Sequence, residues 1–169
     1  MSVLDTPEVR NAIIENYSLY AQGLDSKDWD LVRSCFADEV TIDYGSISDP
    51  TGSPDVARKA QDWLLVLQGV INGFDITRHA ITNHRITVRD GIISCAAYLS
   101  ADHVIFANPE MPLVGAEDVV TVVGEYTNQY VLDGGAWKIF HSKLVVNYST
   151  GNVALFGTAM ERVAEQLKG

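Results

Sequence analysis

An α+β fold is predicted by three features of the chain. Three helical segments come early, the last ending near Val70. Four long β-rich segments follow. They are joined in pairs by Arg89-Asp90-Gly91 and Asp133-Gly134-Gly135, which have the composition of tight hairpin turns. Helices followed by antiparallel hairpins give a curved sheet wrapped around the helices, with a cavity between the layers.

Thr6 serves as N-cap and Pro7 as first helical residue of a helix over 7–22, in which Val9, Ile13, Ile14, Tyr17, Tyr20 and Ala21 recur at helical spacing. After Gly23, Ser26 is expected to cap a second short helix running to about residue 35, burying Trp29, Val32 and Phe36. Asp25 then lies in the connection between the two helices. Glu39 to Tyr44 reads as a short strand and Ser46 to Gly52 as loop. Ser53-Pro54-Asp55 is expected to start a third helix with Trp63, Leu64, Leu67 and Val70 as its apolar stripe. Strands are expected over 76–88, 92–106, 119–132 and 137–149. A loop fills 107–118, and a terminal helix spans 158–167.

With 169 residues and 47% hydrophobic content, the chain fits one domain over 1–169 with a sizeable core. A net charge of −10 opposes a phosphate backbone, and the 12 Lys and Arg residues form no stripe, so nucleic acid is not an expected partner. The N-terminus has neither the basic nor the apolar region of a secretion signal. No apolar run approaches the roughly 20 residues of a membrane span. A soluble, cytoplasmic protein with no membrane partner is expected, with Cys35 and Cys95 as buried reduced thiols.

The residues that bear chemistry are few. On a strand, His79 shares its face with Thr77, Ile81 and Asn83, whereas His84 falls on the opposite face with Arg78 and Thr82. By that parity the two histidines do not share a pocket, and they match no zinc signature. An imidazole ionises near neutral pH and a buried carboxylate fixes its tautomer, so Asp25 and His79 are a candidate base pair. The alternative is that Asp25 caps a turn and His79 is a core histidine. Tyr20 and Tyr44 are candidate hydroxyl donors in the cavity wall. His103 lies on the opposite parity from Tyr98 and Asp102, which leaves its face undecided. Trp63, Tyr126, Asn128 and Asn147 are the candidate substrate contacts. His141 sits back toward a hairpin turn, outside the site. Phosphate loops, nucleophile elbows and paired cysteines are absent, so neither cofactor nor metal is expected.

Several segments carry a resemblance over most of residues 8–150. Tyr20 to Asp30, followed by Thr41-Ile42-Asp43-Tyr44, resembles the opening of scytalone dehydratases. Gly124 to Tyr130, with Ala136-Trp137-Lys138-Ile139, resembles the closing strands of hexachlorocyclohexane dehydrochlorinases. The chain is thus similar to the SnoaL-like branch of the nuclear transport factor 2-like superfamily. The resemblance implies a cone-shaped barrel of curved, mixed, mostly antiparallel sheet around the N-terminal helices. It also implies a dyad of Asp25 and His79, as in these enzymes and the bile-acid dehydratases. Tyr44, Tyr20 and His103 match further active-site positions. Departures also show: Leu24 stands where scytalone dehydratases have a second tyrosine, and Gly124 and Tyr126 replace their serine and asparagine.

The expected function is a cofactor-free dehydratase-type lyase or isomerase acting on a small, largely apolar, ring-containing molecule. A polyketide-type cyclase and a non-catalytic binding or scaffold domain are the alternatives. The resemblance further implies a homo-oligomer, trimer ahead of dimer.

Overall fold

The computed structural model describes residues 4–45 and 54–169. Helix α1 spans Pro7–Ser26, with the Thr6 hydroxyl accepting from the Val9 N–H at 3.3 Å and Pro7 at its start. Its buried stripe is Ile13, Tyr17, Tyr20 and Leu24. The helix does not stop at Gly23. A Cβ there would lie 2.7 Å from the Val32 side chain, so this glycine permits the close approach of the next helix. The helix ends instead at Lys27, whose left-handed backbone (φ 56°) caps it. Asp25 therefore sits in the last helical turn, not in a connecting loop.

Helix α2, Trp29–Ser34, is capped by Asp28, which accepts from the Leu31 N–H at 3.0 Å. Ser26 is not the cap, because its hydroxyl donates back to the Gln22 carbonyl. Strand β1, Phe36–Asp43, begins earlier than the alternation suggested, and Tyr44 lies just beyond it. The expected loop 46–52 and Ser53 fall outside the described residues. Arg58–Lys59 form β2, a two-residue strand against Glu39 and Val40 of β1, so helix α3 spans Ala60–Ile71 and starts later than Pro54 suggested.

Strands β3 (Ile76–Arg89), β4 (Ile92–Val104), β5 (Val119–Asp133) and β6 (Ala136–Gly151) form two hairpins. Gly134 and Gly135 (φ 58° and 81°) make the second turn, a conformation open to glycine at both positions. Helix α4, Leu155–Gln166, begins three residues before the expected 158. The six-stranded sheet has the order β2-β1-β6-β5-β4-β3; β1 and β6 are parallel and the remaining neighbours antiparallel. This is the expected α+β architecture with a mixed, mostly antiparallel sheet, left open between β2 and β3.

Four irregularities interrupt the strand pairing: one between Phe36 and Thr41 where β1 meets β6, one between Thr82 and Arg85 of β3, and two in the β5–β6 ladder that leave Phe140 and Asn147 unpaired there. The main core lies between the inner sheet face and the helices α1 and α3, and includes Tyr17, Tyr20, Trp63, Leu64, Ile93 and Ile139. A smaller cluster of Phe74, Val120, Leu155 and Ala159 seats α4.

Gly73, just past α3, lies against α4: a Cβ there would be 2.0 Å from the Ala159 carbonyl oxygen. Backbone cannot yield as a flexible side chain does, so Gly73→Ala is expected to cost about 1–3 kcal/mol, as overpacking does. Urea denaturation measures it, and an unchanged midpoint would refute the close seating of α4.

Candidate active site

Asp25 projects from the last turn of α1 onto β3, the strand at one edge of the sheet. Its Oδ1 accepts from His79 Nδ1 at 2.7 Å and from the Thr77 hydroxyl at 2.9 Å, while Oδ2 accepts from the His79 backbone N–H at 3.0 Å. Burial alone raises the Asp25 carboxyl, but the hydrogen bonds from His79 and Thr77 outweigh it and hold the group below the usual carboxylate range. A carboxylate accepts only, so Nδ1 carries the hydrogen and the neutral ring keeps its free lone pair on Nε2. The His79 side chain is 5% exposed and that of Asp25 15%, which shelters the pair from bulk water.

His79 lines an apolar cavity of about 100 Å³ between the sheet, α1, α3 and α4. Leu24, Leu67, Val70, Leu99 and Val122 supply much of the wall, and among the described residues no Lys, Arg, Asp or Glu side chain is part of it. The polar groups that line it are His79, His103 and the tyrosines Tyr20, Tyr44 and Tyr126, together with the indole of Trp63. His103 sits 5.4 Å from His79 between ring centroids and packs on Phe74 and Phe156. Burial, reinforced by His79, pushes its pKa down to about 4, so it is neutral at pH 7.

The three tyrosine rings form a cluster, with Tyr126 centred 6.1 Å from Tyr20 and 5.9 Å from Tyr44. Burial pushes all three hydroxyls up, so they are protonated at neutral pH. Tyr44 also stands edge-on to Trp63 at 5.0 Å.

The SnoaL-like domain family matches residues 5–143, which spans most of this architecture and both members of the Asp25–His79 pair. The chain belongs to that family. A solved structure of the Kfla4162 protein from Kribbella flavida shares 30% identity, covering 89% of this chain and 95% of that one at a TM-score of 0.70. The type 2 hexachlorocyclohexane dehydrochlorinase LinA shares 21% identity over 89% of this chain and 93% of its own, with a TM-score of 0.68. A scytalone dehydratase candidate from Novosphingobium aromaticivorans DSM 12444 shares 19%, covering 84% and 86% at 0.64. These last two likenesses speak for the fold. No curated protein matches the sequence.

Within this SnoaL-like domain, Asp25, His79, Tyr20, Tyr44 and His103 come together as the sequence suggested, with Trp63 and Tyr126 in the same wall. Asn128 is also on the inner face, but it lies behind Tyr44 and is 1% exposed. Asn147 is a correction: it is exposed, at the bulge opposite Val123 and Gly124, and takes no part in the cavity. His84 is another. The irregularity after Thr82, with Asn83 at φ 56°, reverses the alternation and turns His84 inward, where it meets Tyr17 at 5.2 Å between centroids. It shares the inner side with His79 yet does not line the cavity. His141 stays out of the site, its Nδ1 2.6 Å from the Thr41 hydroxyl.

Sequence reasoning missed three residues. Thr77, already on the His79 face, holds Asp25. Ser142 reaches the inner face only because Phe140 is an extra residue in the ladder. Phe156 lies before the helix start that the sequence suggested, and it closes the cavity beside His103.

Unfolded histidine binds a proton near pH 6.5, whereas folded His103 does so near 4, so the unfolded state takes up more protons between these values. Stability should therefore fall as pH drops from about 6.5 to 4, with a His103 share of up to about 3 kcal/mol. Urea denaturation from pH 7 to 4 should show a shallower acid limb in His103→Leu. An equal slope would refute a neutral, buried His103.

Proposed function

We propose that this domain is a cofactor-free lyase or isomerase of the dehydratase type, with His79 as general base and Asp25 as its orienting carboxylate. The observation that carries this reading is the Asp25 Oδ1 to His79 Nδ1 hydrogen bond at 2.7 Å, made in the wall of an apolar cavity. Such a pair fixes the tautomer and stabilises the imidazolium that forms when Nε2 takes a proton.

The cavity sets the substrate class. Its volume is below the ~150 Å³ of an apolar cavity that admits benzene, so one small ring, with slight adjustment of the wall, is the size class. With no Lys or Arg among the described residues of the lining, a carboxylate or phosphate would lose its hydration without compensation, so the substrate is neutral. A positioned base contributes roughly 10²–10⁴ in rate, which suffices for a C–H beside a carbonyl and not for an unactivated carbon. In the elimination, the C–H electron pair forms the new double bond through an enolate, the proton goes to His79 Nε2, and the β C–O bond breaks as the His79 imidazolium returns that proton to the leaving hydroxyl, which departs as water. A tyrosine O–H of the cluster, or neutral His103, assists the developing oxyanion or the departing oxygen.

The test is a screen of neutral single-ring β-hydroxy ketones for release of water, followed by variants. His79→Ala should lower turnover by roughly 10²-fold or more, with an unchanged circular dichroism spectrum. Asp25→Asn should also lower it. An active, folded His79→Ala protein overturns the proposal.

A further inference from the structure

Behind Tyr44 the cavity wall holds two polar side chains that the proposed reaction does not use. The Ser142 hydroxyl lies 3.0 Å from the Tyr44 oxygen and 2.6 Å from Asn128 Oδ1. Ser142 and Asn128 are cross-strand partners of β6 and β5, each 1% exposed, so water does not compete for these bonds. Their meeting depends on the bulge at Phe140. Ile139 faces inward opposite Tyr130, and the extra residue then brings Ser142, not His141, opposite Asn128.

The proton positions follow from the chemistry of the groups. An amide oxygen has no proton, so Ser142 donates to Asn128. Serine has only one, so its oxygen accepts from Tyr44, and the Tyr44 proton points into the wall. On the cavity side the Tyr126 ring packs 5.9 Å from that of Tyr44 and 6.1 Å from that of Tyr20.

We infer that Ser142 and Asn128 are positioning residues that hold the Tyr44 proton inside the wall. Tyr44 thereby is not an O–H donor for a substrate oxygen. The inference rests on the proposed function for what that means in the reaction, but the proton direction is a property of the ligand-free protein. Of Tyr20, Tyr44 and His103, Tyr44 is thereby removed as a direct donor.

NMR of the ligand-free protein with ¹³Cζ-labelled tyrosine, in mixed H₂O and D₂O, reads hydroxyl exchange at Tyr44. In the wild type a slowly exchanging Tyr44 hydroxyl proton with a nuclear Overhauser contact to the Ser142 Hβ protons is expected. In Ser142→Ala its exchange should be about tenfold faster, and Ser142→Thr, which keeps the hydroxyl, should restore the slow rate. Unchanged exchange in Ser142→Ala, or a wild-type contact placing the proton on the Tyr20 and Tyr126 side, overturns the inference. Should Ser142→Ala not fold, the wild-type contact decides alone. His79→Ala turnover is a separate readout, so failure of the proton assignment and failure of the base assignment are told apart.

Discussion

The Asp25 carboxylate takes three hydrogen bonds from two residues of one edge strand, and most of what happens at the cavity depends on that attachment. It ties the end of α1 to β3 and satisfies the His79 backbone N–H, which points away from β4. An unpaired edge N–H is otherwise open to pairing with another chain. The same carboxylate fixes the tautomer of the imidazole beside it. Backbone anchoring and ring orientation are thus one interaction, and a shift of α1 along β3 would forfeit all three bonds together. This requires that Asp25 be helical. A helix that ended at Gly23 would leave the carboxylate on a mobile connection, whereas the continuation to Lys27 aims it from a rigid turn.

The hairpins and the helical stripes were legible because their signals are local. Asp-Gly and Gly-Gly turns need only their own backbone angles, and the apolar spacing of α1 and α3 needs only the helical period. What the sequence concealed was non-local. Gly23 reads as a stop, and its reason for being glycine is Val32, nine residues away. Arg58–Lys59 read as helix entry because nothing nearby announces that β1 needs a partner.

Strand parity was legible up to the first bulge. Thr77, His79 and Ile81 alternate as expected, and His84, Ser142 and Asn147 are misplaced by the alternation rule because each lies at or beyond an inserted residue. A bulge has no composition of its own on these strands: Phe140 and Asn147 are ordinary strand residues. The Asp25–His79 pair was suggested by the types of residue and by resemblance, and its bond belongs to the fold alone. Asn128 shows the intermediate case. Its inward face followed from its spacing to Tyr126, but its partner Ser142 did not.

The charge pattern of the cavity follows from these placements and limits which groups exchange roles in the proposed reaction. Among the described residues Asp25 is the carboxylate that bonds the imidazole. Once His79 takes a proton, the pair is neutral overall, and the new cation stays within hydrogen-bond reach of its anion. A second cation on His103 has no such compensation. At 5.4 Å two unit charges repel by about 3 kcal/mol at an effective dielectric of 20, and His103 is packed on Phe74 and Phe156. The two histidines therefore do not alternate as acid and base in that cycle: His103 serves as a neutral ring. The negative charge that develops on the substrate then meets, among the described residues of the wall, no cation but the His79 imidazolium, which Asp25 already compensates. It is left to protonated phenols, whose burial keeps their protons in place, and to the direction in which each phenol points.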